Sequence, residues 1–236
     1  KKGDEKNLPP KSPVILKNEF VKSMLSCRAG GKIERWKRAV DKLESDPVFA
    51  DINIASILNK QDENEFKDIA GRVFKNLRSG HKIVLLTITR LVESMEERSL
   101  VFLDEPEAHL HPPLLSAFIR SLSDLLINRN AVSIIATHSP VVLQEVPRSC
   151  TWKLWRSGYL SKVERLETES FGENVGILTR EVFGLENTDS GFHNLLNDAV
   201  NKFDSYDLAV QHFDGQLGIE ARGILRALFS IKRNRL

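Results

Sequence analysis

Two adjacent acidic residues, Asp104 and Glu105, follow a run of four apolar residues from Leu100 to Leu103. An unbroken apolar run predicts a strand buried on both faces, as in sheets covered by helices on each side. Because such sheets bind ligands at the carboxyl ends of their strands, we expect Asp104 to hold a magnesium ion that carries nucleotide phosphates. Glu105 would orient and polarise an attacking water. A strand that simply ends in an acidic turn before Pro106 is the alternative interpretation.

Two further stretches carry groups that suit the same chemistry. Ser79 and Gly80 precede apolar residues at helical spacing, so free N–H groups at a helix start, with the Ser79 hydroxyl, could bind a terminal phosphate. A serine that only caps the helix is the alternative there. A second apolar strand, Val132 to Ala136, ends at Thr137-His138. We expect His138 beside the tip of the first strand, where an imidazole can hydrogen-bond a γ-phosphate.

In order and spacing, these stretches resemble the ABC-type ATPases, in the broad clan of the Rad50, RecF and structural-maintenance ATPases. Residues 77–81 are similar to the signature motif, 100–105 to the Walker B strand and 107–112 to the D-loop. Asp-Glu-Pro-Glu-x-x-Leu-His-Pro and Ala-Thr-His-Ser-Pro resemble the soluble overcoming-lysogenization ATPases. The signature departs from the usual Leu-Ser-Ser-Gly-Gln at Arg78 and His81.

The resemblance implies a set of roles for residues of this chain, with ATP and Mg²⁺ as cofactors. Glu105 and His138, the switch histidine, would be catalytic, and Asp104 would hold the metal. The ATP-binding residues would be Arg78, Ser79, Gly80, His81 and His111. In this family the ATP lies between two copies of the chain, so a homodimer or higher homo-oligomer is expected.

Two local stretches are similar to the PtuA-like ATPases of Septu-type and retron-associated antiphage systems: residues 169–187 and the Arg35-Trp36 helix up to Pro47. This resemblance implies an ATPase subunit of a bacterial antiphage defence complex that regulates a partner nuclease of the HNH type through ATP-dependent dimerisation. DNA, or a retron reverse transcriptase with its msDNA, would be further partners. A DNA repair or chromosome-maintenance ATPase of the RecF/Rad50 type and a nucleotide-sensing scaffold with little hydrolysis are the alternatives.

One motif of the family does not occur in the sequence. Gly-x-x-x-x-Gly-Lys-[Ser/Thr], the Walker A phosphate loop, is not present, since Gly30-Gly31-Lys32 lacks both the first glycine and the hydroxyl residue. We expect an amino-terminal lobe with this loop to precede the sequence. His109-x-His111 could ligate zinc, but the sequence shows no further set of ligands nearby.

Composition excludes several classes of protein. Charged residues make up 28% of the chain, the net charge is +2, and there are only two cysteines, Cys27 and Cys150. These values predict a globular, cytoplasmic protein without a disulfide framework, in which any contact with DNA comes from a local patch. No apolar run is long enough to cross a bilayer, so no membrane partner is expected.

The strands and helices expected around these residues indicate an α/β fold. The resemblance implies that this fold is the carboxyl-terminal part of an ABC-type P-loop ATPase. Residues 1–13 are a polar linker, 14–76 a helical lobe, 77–166 the ATPase core and 167–236 a helical carboxyl-terminal region. A helix from Pro112 would join the two strands as a crossover, and Thr151 to Leu166 predicts a β-hairpin. The basic face of the Ile33 helix (Lys32, Arg35, Lys37 and Arg38) could lie on DNA or be solvated.

Overall fold

The computed structural model describes residues 11–52, 55–183 and 191–233, which fall into two compact units, one up to Pro147 and one from Arg148. The predicted linker lies largely outside the described residues. The helices of the predicted lobe share one hydrophobic core with the elements that follow them up to Val142. The predicted boundaries at residues 76 and 166 stay predictions.

The first unit consists of eight helices and two strands among its described residues. The helices are α1 (Pro13–Ala29), α2 (Ile33–Asp41), α3 (Pro47–Ala50), α4 (Ala55–Leu58), α5 (Glu63–Asn76), α6 (Ser79–Ser94), α7 (Pro112–Asn128) and α8 (Pro140–Gln144). A short 3-10 helix, Lys42–Ser45, follows α2. The strands are β1 (Leu100–Asp104) and β2 (Val132–Ala136), which pair in parallel and are joined through α7.

The helices form where the sequence supplies apolar stripes and caps. Ser12 caps α1 and Asp62 caps α5, each by accepting a hydrogen bond from a backbone N–H of the first turn. The helices pack through stacked rings of Phe20 and Phe74, whose centroids lie 4.8 Å apart. Trp36 is fully buried and donates its indole N–H to Thr89 Oγ1 of α6 at 2.8 Å. These contacts fix the helices of the predicted lobe against α6.

The β1–β2 sheet is covered on one face only, so the prediction of a strand buried on both faces is wrong for the described residues. Val101, Leu103 and Ile135 pack on the core of the unit, whereas Phe102 is 69% and Ile134 55% exposed. Leu100 and Val132 pair with each other, two residues before the pair of Phe102 and Ile134. Side chains two residues apart on a strand share a face, so all four lie on the open face. A parallel strand is buried twice only where helices cover both sides, and the described helices cover one.

The second unit begins with a short 3-10 helix, Arg148–Cys150, and continues as a hairpin and then helices. The hairpin strands are β3 (Lys153–Ser157) and β4 (Leu160–Glu164), which confirms the predicted hairpin. The helices are α9 (Val175–Phe183), α10 (Phe192–Lys202), α11 (Tyr206–His212) and α12 (Ile219–Arg233). A small core of Leu196, Ala209 and Leu225 holds the last three together.

No helix among the described residues combines the length and the apolar character that crossing a membrane requires.

Candidate nucleotide-hydrolysis site

The tips of β1 and β2 bring three of the predicted site residues to one edge of the sheet. Asp104 pairs with Ala136 in the register, and the Glu105 N–H donates to the Ala136 carbonyl at 2.8 Å. Asp104 lies on the open face of the sheet and is exposed. Parallel strands end at a common edge, so the residues that follow β1 and β2 must be neighbours there. The carboxylate of Asp104 is therefore accessible to a hydrated cation.

Glu105 and His138 form the centre of this edge. The His138 Nδ1 atom lies 3.6 Å from Glu105 Oε1, and both side chains are more than 60% exposed. Glu105 has a backbone φ of +44°, which is the left-handed region that side chains other than glycine seldom adopt. This conformation turns the chain sharply at the end of β1. An exposed carboxylate beside an imidazole can take a proton from a water molecule and keep it oriented.

Glu107 anchors the same edge, although no role beyond membership in the D-loop is predicted for it from sequence. Its Oε1 accepts hydrogen bonds from Thr137 Oγ1 at 2.7 Å and from the His138 N–H at 2.9 Å. The His138 Nδ1 atom lies 3.2 Å from the same oxygen. The other oxygen, Oε2, is buried without a hydrogen-bond partner among the described residues. Glu107 thus ties the loop after β1 to the backbone after β2 and fixes His138 between two carboxylates.

The ionisation of Glu107 reflects these contacts. Burial alone would raise its pKa, but hydrogen bonds from its own N–H, from Thr137 and from the His138 N–H together lower the pKa below the ordinary 4.5. The charge of His138 acts in the same direction. Glu107 is therefore a fixed anion at neutral pH.

The amino end of α6 holds the second group of predicted residues. Arg78 is extended and occupies the N-cap position of α6. Ser79 is the first helical residue, so the serine does not cap the helix. Gly80 lies against the D-loop: a Cβ built there would meet the His109 carbonyl oxygen at 3.2 Å and the Leu110 side chain at 3.3 Å. The glycine is thus required for close packing, whatever its part in phosphate binding.

His81 is placed differently from its predicted neighbours. Its side chain is 2% exposed, and Nε2 lies 3.0 Å from Oδ1 of Asp46, which is also buried. Arg78 and Ser79, in contrast, are exposed. Contact of His81 with ATP stays a prediction, and the imidazole in this structure faces the interior.

Asp46, His81 and His111 form a cluster in which the ligating atoms all lie within 4.8 Å of one another. Asp46 Oδ1 caps α3 by accepting from the Val48 N–H at 3.0 Å, and Oδ2 lies 3.6 Å from His111 Nε2. His111 caps α7, because its Nδ1 accepts from the Leu114 N–H at 3.3 Å. The neutral His111 ring then carries its proton on Nε2, facing Asp46 Oδ2, which has no hydrogen-bond partner among the described residues. Within the cluster, the described contacts thus include one hydrogen bond, between His81 and Asp46.

The geometry therefore groups the predicted residues in two places. Asp104, Glu105 and His138 share the strand tips, and Arg78, Ser79, Gly80, His81 and His111 lie around the starts of α6 and α7. The chemical roles assigned to these residues stay predictions. Glu107 and Asp46 are additions of the structure. A glutamate two residues after the paired acids was the only sequence signal for the first, and an Asp-Pro after a helix was the only one for the second.

A parallel strand pair with acids and a histidine at its tips, joined by a helix and packed on helices, is the arrangement of a P-loop ATPase core. Residues 19–144, a little more than half of the chain, match the family described as "AAA domain, putative AbiEii toxin, Type IV TA system". The chain belongs to this family of P-loop ATPase-like domains.

Among curated proteins, the chain is similar to protein ea59 of Escherichia phage lambda. The two sequences are 48% identical over 230 residues. The match takes in 90% of this chain but only 44% of ea59, so the chain spans less than half the length of that relative.

Proposed function

We propose that this chain supplies the metal-holding and water-activating side of an ATP-hydrolysing site. The observation that carries the proposal is the strand edge at which Glu105 lies 3.6 Å from His138 beside the exposed Asp104. Membership in an ATPase-like family supports it. Three groups that can hold a cation, orient a water and contact a phosphate are the set that phosphoryl transfer to water requires.

Each residue at the edge has a distinct part. The Asp104 carboxylate would hold Mg²⁺, directly or through water, and Mg²⁺ would neutralise charge that develops on the phosphates. Glu105 would accept a hydrogen bond from the attacking water and orient it. Glu107 holds the backbone and ring of His138, so that the imidazole is presented as a donor to a terminal phosphate. Catalysis would consist mainly of positioning and charge stabilisation.

The rest of the site would come from elsewhere. A phosphate loop is not encoded within these 236 residues, so we infer that another segment or chain supplies it. The start of α6 would complete the site from a second copy, head to tail, because the exposed Arg78 and Ser79 and the free N–H groups of the first turn suit a phosphate. ATP would then join two copies, and hydrolysis would release them.

Glu105→Gln tests the catalytic part in the full-length natural protein. The variant keeps the size of the side chain but cannot polarise water, so we expect ATP turnover to fall about a hundredfold or more while ATP binding persists. A phosphate-release assay measures the turnover. Light scattering measures the ATP-bound dimer, which should accumulate in the variant. Glu97→Gln, an exposed glutamate outside the edge, is the matched control.

Two outcomes would remove the proposal. Turnover at the wild-type rate in Glu105→Gln would exclude Glu105 as the water-orienting group. If the wild-type protein binds ATP but releases no phosphate, the nucleotide-sensing scaffold replaces hydrolysis as the function.

We also propose, on the resemblance to PtuA-like ATPases, that this ATPase acts in an antiphage defence complex with a partner nuclease. Phage plating on cells that carry the natural operon, with wild-type or Glu105→Gln protein, tests this role. Equal plating would contradict the defence role, and a gain of sensitivity to DNA damage in the variant would favour the repair function.

A further inference from the structure

A groove of about 530 Å³ runs between α1 and α5 in the first unit, away from the residues discussed so far. Its lining contains five basic side chains and a single acidic one, Asp68. The basic residues are Lys17, Lys22, Lys67, Arg72 and Lys75. The whole chain has a net charge of only +2, so positive charge is concentrated here.

The packing of the two helices shapes the groove. Residues 17, 21 and 25 of α1 face residues 67, 71 and 75 of α5, each set at helical spacing. Gly71 is buried, and a Cβ there would lie 3.7 Å from both Lys17 Cδ and Val21 Cγ2, so the stem of Lys17 lies over the glycine. Val21 and Leu25 give the groove an apolar floor, and the charged heads stand at its rims.

Ion pairs neutralise some cations of the first unit, but only one of the five groove cations among the described residues. Lys37 pairs with Asp41 at 2.9 Å, and Arg38 approaches Asp124 at 3.9 Å. In the groove, Lys67 pairs with Glu63 at 2.5 Å, and the charge of Lys22 also helps to lower the pKa of Glu93.

The remaining three groove cations, Lys17, Arg72 and Lys75, form no ion pair with a carboxylate of the described residues. Unpaired like charges facing each other across a groove repel, and an anion placed between them relieves that repulsion.

We propose that this groove binds the phosphate backbone of a single nucleic acid strand. The cations from Lys67 to Lys75 span about 12 Å of α5 at 1.5 Å per residue, which is about two to three phosphates of one extended strand. A compact anion such as a triphosphate would leave the two ends of this row unused. The groove lies between two packed helices and encloses only about 530 Å³, which suits a few nucleotides of one strand and not a whole duplex. The apolar floor suits sugars and base faces, while the charged side chains at the rims contact the phosphates of the strand.

The binding is expected to be independent of base sequence, since the groove offers charged ends and aliphatic surface without amide or acidic groups, apart from Asn18 and Asp68, that could read base edges. It is also independent of the ATP site proposed above, because none of its residues lies at the strand tips or at the start of α6.

The experiment measures binding of a fluorescein-labelled 20-nucleotide oligo-deoxythymidine to the full-length protein by fluorescence anisotropy, without ATP. Lys17→Glu with Arg72→Glu places one reversed charge on each side of the groove. We expect at least about tenfold weaker binding at low salt. The slope of log K against log salt should become shallower by about 1.4, since each lost phosphate contact on a single strand removes about 0.7.

Lys42→Glu with Arg98→Glu is the matched control, because it changes the net charge by the same amount at two exposed positions outside the groove. Its affinity should stay within about twofold of the wild type. The charge-neutral pair Lys17→Gln with Arg72→Gln should fall between the wild type and the reversed pair. Circular dichroism and the thermal midpoint verify that each variant is folded.

Three results would overturn the proposal. Equal weakening by the groove pair and the control pair would mean that overall charge, not the groove, attracts the strand. Unchanged affinity in the groove pair would exclude the groove. Displacement of the oligonucleotide by inorganic triphosphate at equal phosphate concentration would identify a small-anion site instead.

Discussion

Glu107 shows how one carboxylate can organise the end of two strands. Its Oε1 accepts from the Thr137 hydroxyl and the His138 N–H, and only about a tenth of the side chain is exposed. A buried carboxylate that accepts several hydrogen bonds is stabilised in its charged form, and the folded state gains stability from that preference. The residue therefore acts on both the stability of the edge and the orientation of His138.

Glu107→Gln should lower the free energy of unfolding by about 1–2 kcal/mol at pH 7, because an amide is the weaker acceptor for the two hydrogen bonds. The pKa of Glu107 is lower in the folded state than its ordinary 4.5, so the contribution of the charge is complete well above that value. It is lost as the pH falls from 4.5 through the lowered pKa. Urea denaturation at pH 7 and at a series of acidic pH values measures the difference.

Glu97→Gln is the control for this prediction, since Glu97 is exposed and lies in the same unit. A difference between wild type and Glu107→Gln that stays constant from pH 7 to pH 3 would contradict the role given to the charge.

Which site residues could be predicted from sequence depends on what fixes them. Asp104 ends β1, Glu105 follows it, and His138 comes two residues after β2, so parallel pairing alone brings the three to one edge. Glu107 and Asp46 depend on partners 30 and 35 residues away in the chain. Such long-range hydrogen bonds leave no periodic pattern, and for this reason sequence reasoning missed both residues.

At the scale of elements, Asp46 joins three of them. It caps α3, contacts His81 in the first turn of α6, and faces His111 at the start of α7. His111 in turn caps α7 through its Nδ1 atom. The amino ends of three helices are thus held by one connected set of side chains.

Asp46→Ala should lower the free energy of unfolding by about 3 kcal/mol, because it removes a helix cap and leaves the buried His81 without its partner. Asp46→Asn keeps an oxygen for the cap and should cost less. Asp51→Ala, at an exposed position five residues on, should change little. Chemical denaturation of the three variants ranks them, and a cost for Asp46→Ala no larger than that of Asp51→Ala would show that the cluster does not stabilise the fold.

Most helices were predictable because their apolar residues recur at helical spacing, as in α2, α5, α6 and α7. Helical periodicity is absent from residues 49–58 and from the residues of α11, so the sequence predicts no individual helix there. The structure has only short helices in both places, α3, α4 and the seven residues of α11. A single turn of helix depends on caps such as Asp46 and Ser205 more than on periodicity, and caps alone are weak predictors.

At the scale of the whole molecule, the open face of the β1–β2 sheet is the most unusual surface. Leu100, Phe102, Val132 and Ile134 are each more than half exposed and stand side by side across the two strands. Contiguous apolar surface of this kind is uncommon on a protein that functions alone. The burial of an apolar run can be predicted from sequence only when the number of covering layers is known.

We expect this chain on its own to self-associate through the open face. Phe102→Lys with Ile134→Lys should reduce the association measured by light scattering, with little loss of unfolding free energy, since both side chains are already exposed. Ile127→Lys is the matched control, because Ile127 is 78% exposed on α7. Equal effects of the two substitutions would show that the sheet face has no special role.

The left-handed backbone at Glu105 bears on the stability of the first unit and on the proposed turnover of ATP. A residue with a side chain in this conformation costs about 1 kcal/mol that glycine would not. Glu105→Gly should therefore raise the thermal midpoint of the first unit while abolishing turnover, which calorimetry and a phosphate assay would register together. If the midpoint falls instead, the carboxylate contributes to folding itself. Under the proposed function, the glutamate at this position lowers the stability of the fold relative to glycine and supplies the carboxylate that turnover requires.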